Sequence, residues 1–250
     1  MSFKELYIKT YWKYYKSLEQ RFARTEEFVA FDDVNNKTYS IEYLMLLQTI
    51  CSEIDVVAKA IASHFNPSFN AKDANIKKWG YEVQKYLTSI TTQKVNFNKE
   101  TELTPWAGWD IEERLDKNKK PYIAYVGGCG SPEWWNAYNS VKHARTTIDD
   151  GRVNYQKANQ KNVINALAAL YVLHRLMLKE LNEHAYVLLD KSELFKIPDW
   201  YDEYHFHLSV DSQGQPCIVY EDESFEKERE YNNDRFLMNE SFTTGLSTTR

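Results

Sequence analysis

The strongest constraint on the fold lies between about residues 155 and 189. There Val163, Leu167, Leu170, Leu173, Met177 and Leu181 recur every three or four positions. That period puts all six on one side of a helix, and an apolar stripe of that length has to be buried against other helices. Ala166, Ala168 and Ala169 leave room for a neighbour to come close. The rest of the chain offers candidates. Residues about 3–24 carry an aromatic stripe of Leu6, Tyr7, Tyr11, Tyr14, Tyr15, Leu18 and Phe22. Its tyrosines read as core and rim packing, because a phenol tolerates a half-buried position with its hydroxyl wet. A second helix is expected from Ser40, a suitable N-cap, to about His64, where Asn66-Pro67 ends it. Leu46, Ile50, Ile54, Val57 and Ile61 form its buried face. A third helical pattern spans about residues 72–91 through Ile76, Trp79, Val83, Tyr86, Leu87 and Ile90.

Between these helices the pattern loosens. Phe28-Val29-Ala30-Phe31 reads as a short extended piece before a polar loop, and residues 91–130 show no sustained period. After Ile197-Pro198, Tyr204, Phe206, Leu208 and Val210 alternate with polar residues. Asp211-Ser212-Gln213-Gly214 then marks a turn before Cys217-Ile218-Val219-Tyr220, so a β-hairpin is expected. Only 8 Gly and 6 Pro argue against a turn-rich all-β fold. The expected architecture is mostly α: a helical bundle over residues 1–195, a hairpin appendage over 196–222 and a polar tail over 223–250.

The net charge is −5, so a broad nonspecific grip on nucleic acid is excluded and any such contact must be local. Three Cys without paired or metal-type spacing suit a reducing cytosol. Met1 to Glu5 lack an apolar signal core, and no apolar run approaches a membrane span. A cytoplasmic protein with no cofactor is expected.

The densest chemistry lies in Ser131-Pro132-Glu133-Trp134-Trp135-Asn136-Ala137-Tyr138-Asn139-Ser140-Val141-Lys142-His143-Ala144-Arg145. Ser131 suits an N-cap, Pro132 the first helical position, and Glu133 the positive end of the helix dipole. On a helical wheel Trp134, Ala137, Val141, Ala144 and Ile148 face the core. Asn136, Asn139 and His143 face away, flanked by Trp135 and Thr146. Lys142 and Arg145 share a third flank near Tyr138. Asn139 and His143 are one turn apart. An amphipathic helix with a solvated polar face accounts for this pattern as well as a site does.

The run Tyr138-Asn139-Ser140-Val141-Lys142-His143-Ala144-Arg145 resembles the HEPN (higher eukaryotes and prokaryotes nucleotide-binding) family. Its members are all-helical domains, many of them metal-independent ribonucleases of toxin–antitoxin and phage-defence systems. Their signature is an Arg, commonly a polar residue after it, and a His four to six residues beyond the Arg. Asn139 and His143 match the last two positions, while Tyr138 occupies that of the Arg. Residues 46–59 resemble the second helix of such domains, which often carries acidic residues facing the motif helix. The resemblance implies a homodimer with a composite RNA cleft. His143 would act as acid or base, Asn139 as orienting group, and Lys142 or Arg145 in place of the missing Arg. Trp135, Tyr138 and Glu53 would support them. The other class it leaves open is a non-catalytic scaffold that binds a protein partner or antitoxin.

Glu53 lies at the edge of its helix's buried face, where a carboxylate needs a partner, and His143, Lys142 or Arg145 are candidates. Asp55 and Lys59 read as an exposed ion pair. The loop Leu115 to Pro121 gathers positive charge and reads as solvated or as a phosphate contact. Gly127-Gly128-Cys129-Gly130 precedes the motif helix without the Gly-Lys-Ser/Thr of a P-loop, and Cys129 lies too far along the chain from His143 to pair with it in one helix. His205 and His207 share one strand face but lack a third metal ligand at characteristic spacing. His174 and His184 read as surface or core-edge residues.

Overall fold

The N-terminal helix is set by its first four residues. Ser2 Oγ accepts from the Glu5 amide at 3.2 Å, and the Ser2 amide donates to Glu5 Oε2 at 3.0 Å, a reciprocal capping box. In the computed structural model, which describes residues 2–99, 101–149, 151–181 and 191–198 and the backbone of 206–210 and 216–220, helix α1 (Phe3–Leu6) then widens into a π-helical turn, Tyr7–Trp12, and continues as α2 (Lys13–Ala23). The widened turn changes the register of the aromatic stripe. Tyr7, Trp12 and Tyr15 become the buried face, whereas Tyr11 is half-buried and Leu6 and Tyr14 are exposed.

Phe28 to Phe31 are not extended. The Thr25 carbonyl accepts from the Phe28 and Val29 amides at 3.1 and 3.0 Å, and the chain turns so that Phe31 stacks on Phe22. Helix α3 (Ile41–Phe65) starts where Ser40 Oγ accepts from the Tyr43 amide at 3.0 Å and stops at Asn66, which is extended before Pro67. Helix α4 (Ile76–Tyr86) is shorter than its sequence pattern, because Asn75 caps it and the chain breaks into turns after Tyr86. Asp55 joins the two helices. It pairs with Lys59 at 2.6 Å and accepts from Trp79 Nε1 at 2.9 Å.

The irregular stretch contains short strands too brief to show a period. β1 (Val95–Phe97) pairs antiparallel with β2 (Thr101–Leu103), Val95 opposite Leu103. β3 (Ile111–Leu115) and β4 (Pro121–Tyr125) form a hairpin. The basic loop is its turn, held by Asp116 Oδ1 accepting from the amides of Asn118 and Lys120, both at 2.8 Å. Helix α5 (Glu133–Ala144) is followed by the two-residue strands β5 (Ile148–Asp149) and β6 (Arg152–Val153). Helix α6 (Gln160–Glu180) follows, and β7 (Phe195–Lys196) joins the other edge of β1, Phe97 opposite Phe195. β8 (Phe206–Val210) pairs antiparallel with β9 (Pro216–Tyr220), Phe206 opposite Tyr220. The chain divides into two units, 1–198 and 199–250, so the first extends to Pro198 and includes β7 and the buried Ile197. His184, His205 and the tail 223–250 lie outside the described residues.

The chain is mostly helical, and α6 is its centre. Every residue from Val163 to Leu178 except Asn165 is buried, so the expected stripe is a helix enclosed on all sides. α3, α5, α2 and β1 all pack on it. His174 is therefore neither surface nor core edge. It is fully buried, its Nδ1 sits 2.9 Å from the Tyr7 hydroxyl, and burial pushes its pKa down to about 3, so the ring is neutral. Beside it Arg175 donates to the Tyr171 hydroxyl at 2.8 Å. Buried Glu19 ties the segment 191–197 to α2. It accepts from Lys16 at 2.7 Å, the Tyr15 hydroxyl at 2.9 Å, the Leu194 amide at 3.2 Å and Ser192 Oγ.

A second cluster gathers Trp79, Trp106, Trp109, Trp134 and Trp135, with neighbouring ring centroids 4.5 to 6.4 Å apart. Gly80 is required there. A Cβ at this position would lie 2.3 Å from Trp109 Cζ2. Gly80→Ala should therefore destabilise the protein by about 1–3 kcal/mol in chemical denaturation, against the gain of about 0.4–1 kcal/mol that a helical Gly→Ala change normally brings. Unchanged or increased stability would mean that Trp109 does not pack on α4.

Candidate functional site

Helix α5 begins one residue later than its sequence suggests. Ser131 does not cap it, because its Oγ is engaged with the Tyr125 hydroxyl at 2.5 Å. Pro132 holds the N-cap position and Glu133 opens the helix. Gly127 and Gly128 turn the chain into α5 with φ of 57° and 84°, a conformation that favours glycine. Cys129 Sγ donates to the Asp110 carbonyl at 3.2 Å. Glu133 pairs with Lys161 at 2.7 Å, so the first turn already carries its own carboxylate.

The aromatic residues of α5 belong to the core. Trp134, Ala137 and Val141 are buried as the wheel places them, but Trp135 and Tyr138 are buried too. Trp135 packs edge-on against Trp79 and Trp134 and tilted against Tyr138. The apolar arc is therefore wider than a single stripe. At the other end the helix stops at Ala144, so Ile148 leaves the wheel and lies exposed in β5. Asn154 holds this end. Its Nδ2 donates to the Ala144 carbonyl at 2.9 Å and its amide to the Thr147 carbonyl at 2.9 Å, while the Tyr155 amide donates to the Arg145 carbonyl at 3.0 Å.

What remains outside is a polar strip. His143, Lys142 and Arg145 are exposed and Asn139 is half-buried one turn before His143. Lys142 Nζ lies 5.2 Å from the Tyr138 ring centroid, so Tyr138 serves as a platform for the cation while staying packed. Lys157 approaches Ser140 Oγ at 3.4 Å and pairs with Asp149 at 2.6 Å at the strip's edge. Neither Asn139 nor His143 has a side-chain hydrogen bond to a described residue. The strip offers two amide or imidazole groups and two cations, with no carboxylate holding the His.

Glu53 is not that carboxylate. Although α3 packs against α5, Glu53 falls on the face toward the N-terminal helix, where it bears on Tyr7 and Tyr11. It lines a small hollow with Tyr14, Gln48, Thr49 and Ser52. Burial pushes its carboxyl up to about 7. Of the hollow's residues, Gln48, Thr49 and Ser52 carry no reading from the sequence, although Gln48/Ser52 and Thr49/Glu53 are two polar pairs at helical spacing. A further cleft of about 410 Å³ lies where Asp32, Asp33 and Asn36 meet Gln160 and Lys161 of α6.

Among the described residues no three His, Cys, Asp or Glu gather as a metal site, and no helix is long and apolar enough to cross a membrane. Compared with protein-family models, curated proteins and solved structures, the chain matches none of them.

The Glu53 carboxyl sets a pH dependence. Its pKa rises from 4.5 to about 7 on folding, so the folded state holds this proton more tightly than the unfolded chain. Its influence on stability is neutral below 4.5 and becomes unfavourable as pH climbs through the window from 4.5 to about 7. Glu53→Gln removes the ionisation, so it should raise the Tm at about pH 8 and change it little at about pH 4. Thermal unfolding at both pH values checks this; a Tm raised equally at both, or lowered at about pH 8, would contradict it.

Proposed function

We propose that this protein is a HEPN-like helical protein that acts on RNA as a homodimer and cleaves it without a metal ion. The observation that carries this reading is the strip at the end of α5: Asn139 and His143 one turn apart, with Lys142 and Arg145 exposed on the adjoining flank, on a helix whose other side is fixed in the core. Cleavage of this kind uses the RNA 2′-hydroxyl as nucleophile. It needs a proton acceptor and donor that works near neutral pH, a role for which imidazole is suited. It also needs positive or polar groups at the phosphate as charge builds up, which Lys142, Arg145 and Asn139 supply. One strip carries a single His. A two-fold pairing of strips supplies the second acid–base group and doubles the cations, concentrating positive charge locally on a chain whose net charge is −5.

A second reading has its own observation in favour. The position of the family's Arg holds Tyr138, which is buried, so the strip lacks the cation that the ribonucleases place there. On this reading the same strip, as a dimer, binds a protein partner such as an antitoxin.

Purified protein incubated with total RNA or tRNA in EDTA separates the two. The ribonuclease reading expects cleavage that falls by about 10²-fold or more in His143→Ala and markedly in Asn139→Ala. Folded protein that leaves RNA intact, or cleavage undiminished in His143→Ala, would overturn it and favour the scaffold.

A further inference from the structure

The hollow beside Glu53 has a chemistry that the α5 strip does not use. Glu53 is only 9% exposed, yet it has no hydrogen bond and no ion-pair partner among the described residues. A carboxylate in that position is costly unless something pairs with it. Its surroundings supply oxygen atoms, one amide and aromatic rings. Thr49, one turn before Glu53, spends its hydroxyl proton on the Met45 carbonyl at 2.8 Å and so presents only lone pairs to the hollow. Gln48 and Ser52 form the next pair along α3, and Tyr14 stands at the rim. The groups that bear on Glu53 electrostatically are the phenols of Tyr7 and Tyr11, the former backed by the neutral His174. None is a cation.

That set selects its ligand. An anion meets a carboxylate without an ion-pair partner among the described residues, and no cation lines the hollow there. A metal ion meets one carboxylate where hard cations take several oxygen ligands. A cation with N–H donors supplies the missing partner of Glu53 and meets acceptors and one phenol ring, Tyr14, at the wall. The volume of about 310 Å³ is at the small end of ligand sites, enough for a charged head and a short alkyl stem.

We propose that the hollow formed by Tyr14, Gln48, Thr49, Ser52 and Glu53 binds an organic ammonium or guanidinium group, with the Glu53 carboxylate as its counter-ion. The ligand is either a free amine of the polyamine kind or a Lys or Arg side chain presented by another protein. Because the carboxyl of the empty site titrates at about 7, occupation releases a proton below that pH, and binding strengthens as pH rises.

The test is titration calorimetry on the full chain with n-butylammonium, spermidine, N-acetyl-lysine amide and N-acetyl-arginine amide, with n-butanol as the uncharged control. Carboxyl-carbon NMR follows Glu53 in parallel. Saturable binding of the cations is expected, about tenfold weaker at about pH 6 than at about pH 8, as the ionised fraction of a group titrating near 7 requires. n-Butanol should not bind, and Glu53→Gln should remove binding. Thr49→Lys places an ammonium one turn from Glu53, so it should block the site from within and lower the Glu53 titration midpoint, a readout independent of the Gln variant. Tighter binding of spermidine assigns the site to free amines, and tighter binding of the amino-acid amides assigns it to a partner's side chain. No saturable binding, equal binding in Glu53→Gln, or n-butanol binding as well as n-butylammonium overturns the proposal.

Discussion

Enclosure of α6 is the constraint on which the rest of the first unit depends. A helix buried on every side gains from a partner for each polar side chain, and α6 carries both His174 and Arg175 inside. The Tyr7 hydroxyl bonds His174, so the N-terminal helix is fixed to α6 by direction as well as by apolar contact, while Arg175 is satisfied within α6 by the Tyr171 hydroxyl. This explains the π-turn in functional terms. Only the widened turn brings Tyr7, Trp12 and Tyr15 to one face, around the ring of His174. A second tie comes from Trp106, whose Nε1 donates to the Ala169 carbonyl at 3.0 Å. It couples the tryptophan cluster, and through it α5, to the same helix.

That coupling divides α5 into two halves with different jobs. Trp134, Trp135, Ala137, Tyr138 and Val141 lock one half into the cluster, while Asn139, Lys142, His143 and Arg145 are presented outside it. A rigid helix is a precise platform for reactive side chains, since their positions follow from the packing beneath. The same logic holds for Glu53. It sits on α3 between fully buried neighbours, Ile50 and Ile54, and has no ion-pair partner among the described residues.

Much of this was legible in the sequence because helical period and caps are local. Ser40 and Asn66-Pro67 mark the ends of α3 as the structure draws it, and the Asp55–Lys59 pair forms, although half-buried under Trp79 rather than exposed. The departures come from longer-range causes. A wheel of constant pitch cannot foresee the π-turn, so it puts Tyr11 and Tyr14 on the stripe of core and rim residues and leaves out Trp12, which is fully buried. Trp135 and Tyr138 looked like flanks of a polar face, because only the approach of α4 and its Trp79 reveals a second buried side. Strands of two to five residues such as β1 and β7 have no period to detect and are defined by partners far along the chain. His174 read as polar periphery because enclosure of α6 on all sides is a property of the assembled unit. At the candidate site, the residue types of the α5 strip were legible, while the place of Glu53 depended on which face of α3 meets which neighbour.

The aromatic half of α5 is held by the core and the polar half lies outside it. The most direct test of that division is the denaturation free energy of Trp135→Ala beside that of His143→Ala. The account predicts a loss of about 3–5 kcal/mol for Trp135→Ala and a change within about 0.5 kcal/mol for His143→Ala. Comparable losses in both, or a stable Trp135→Ala protein, would contradict the division on which the account rests.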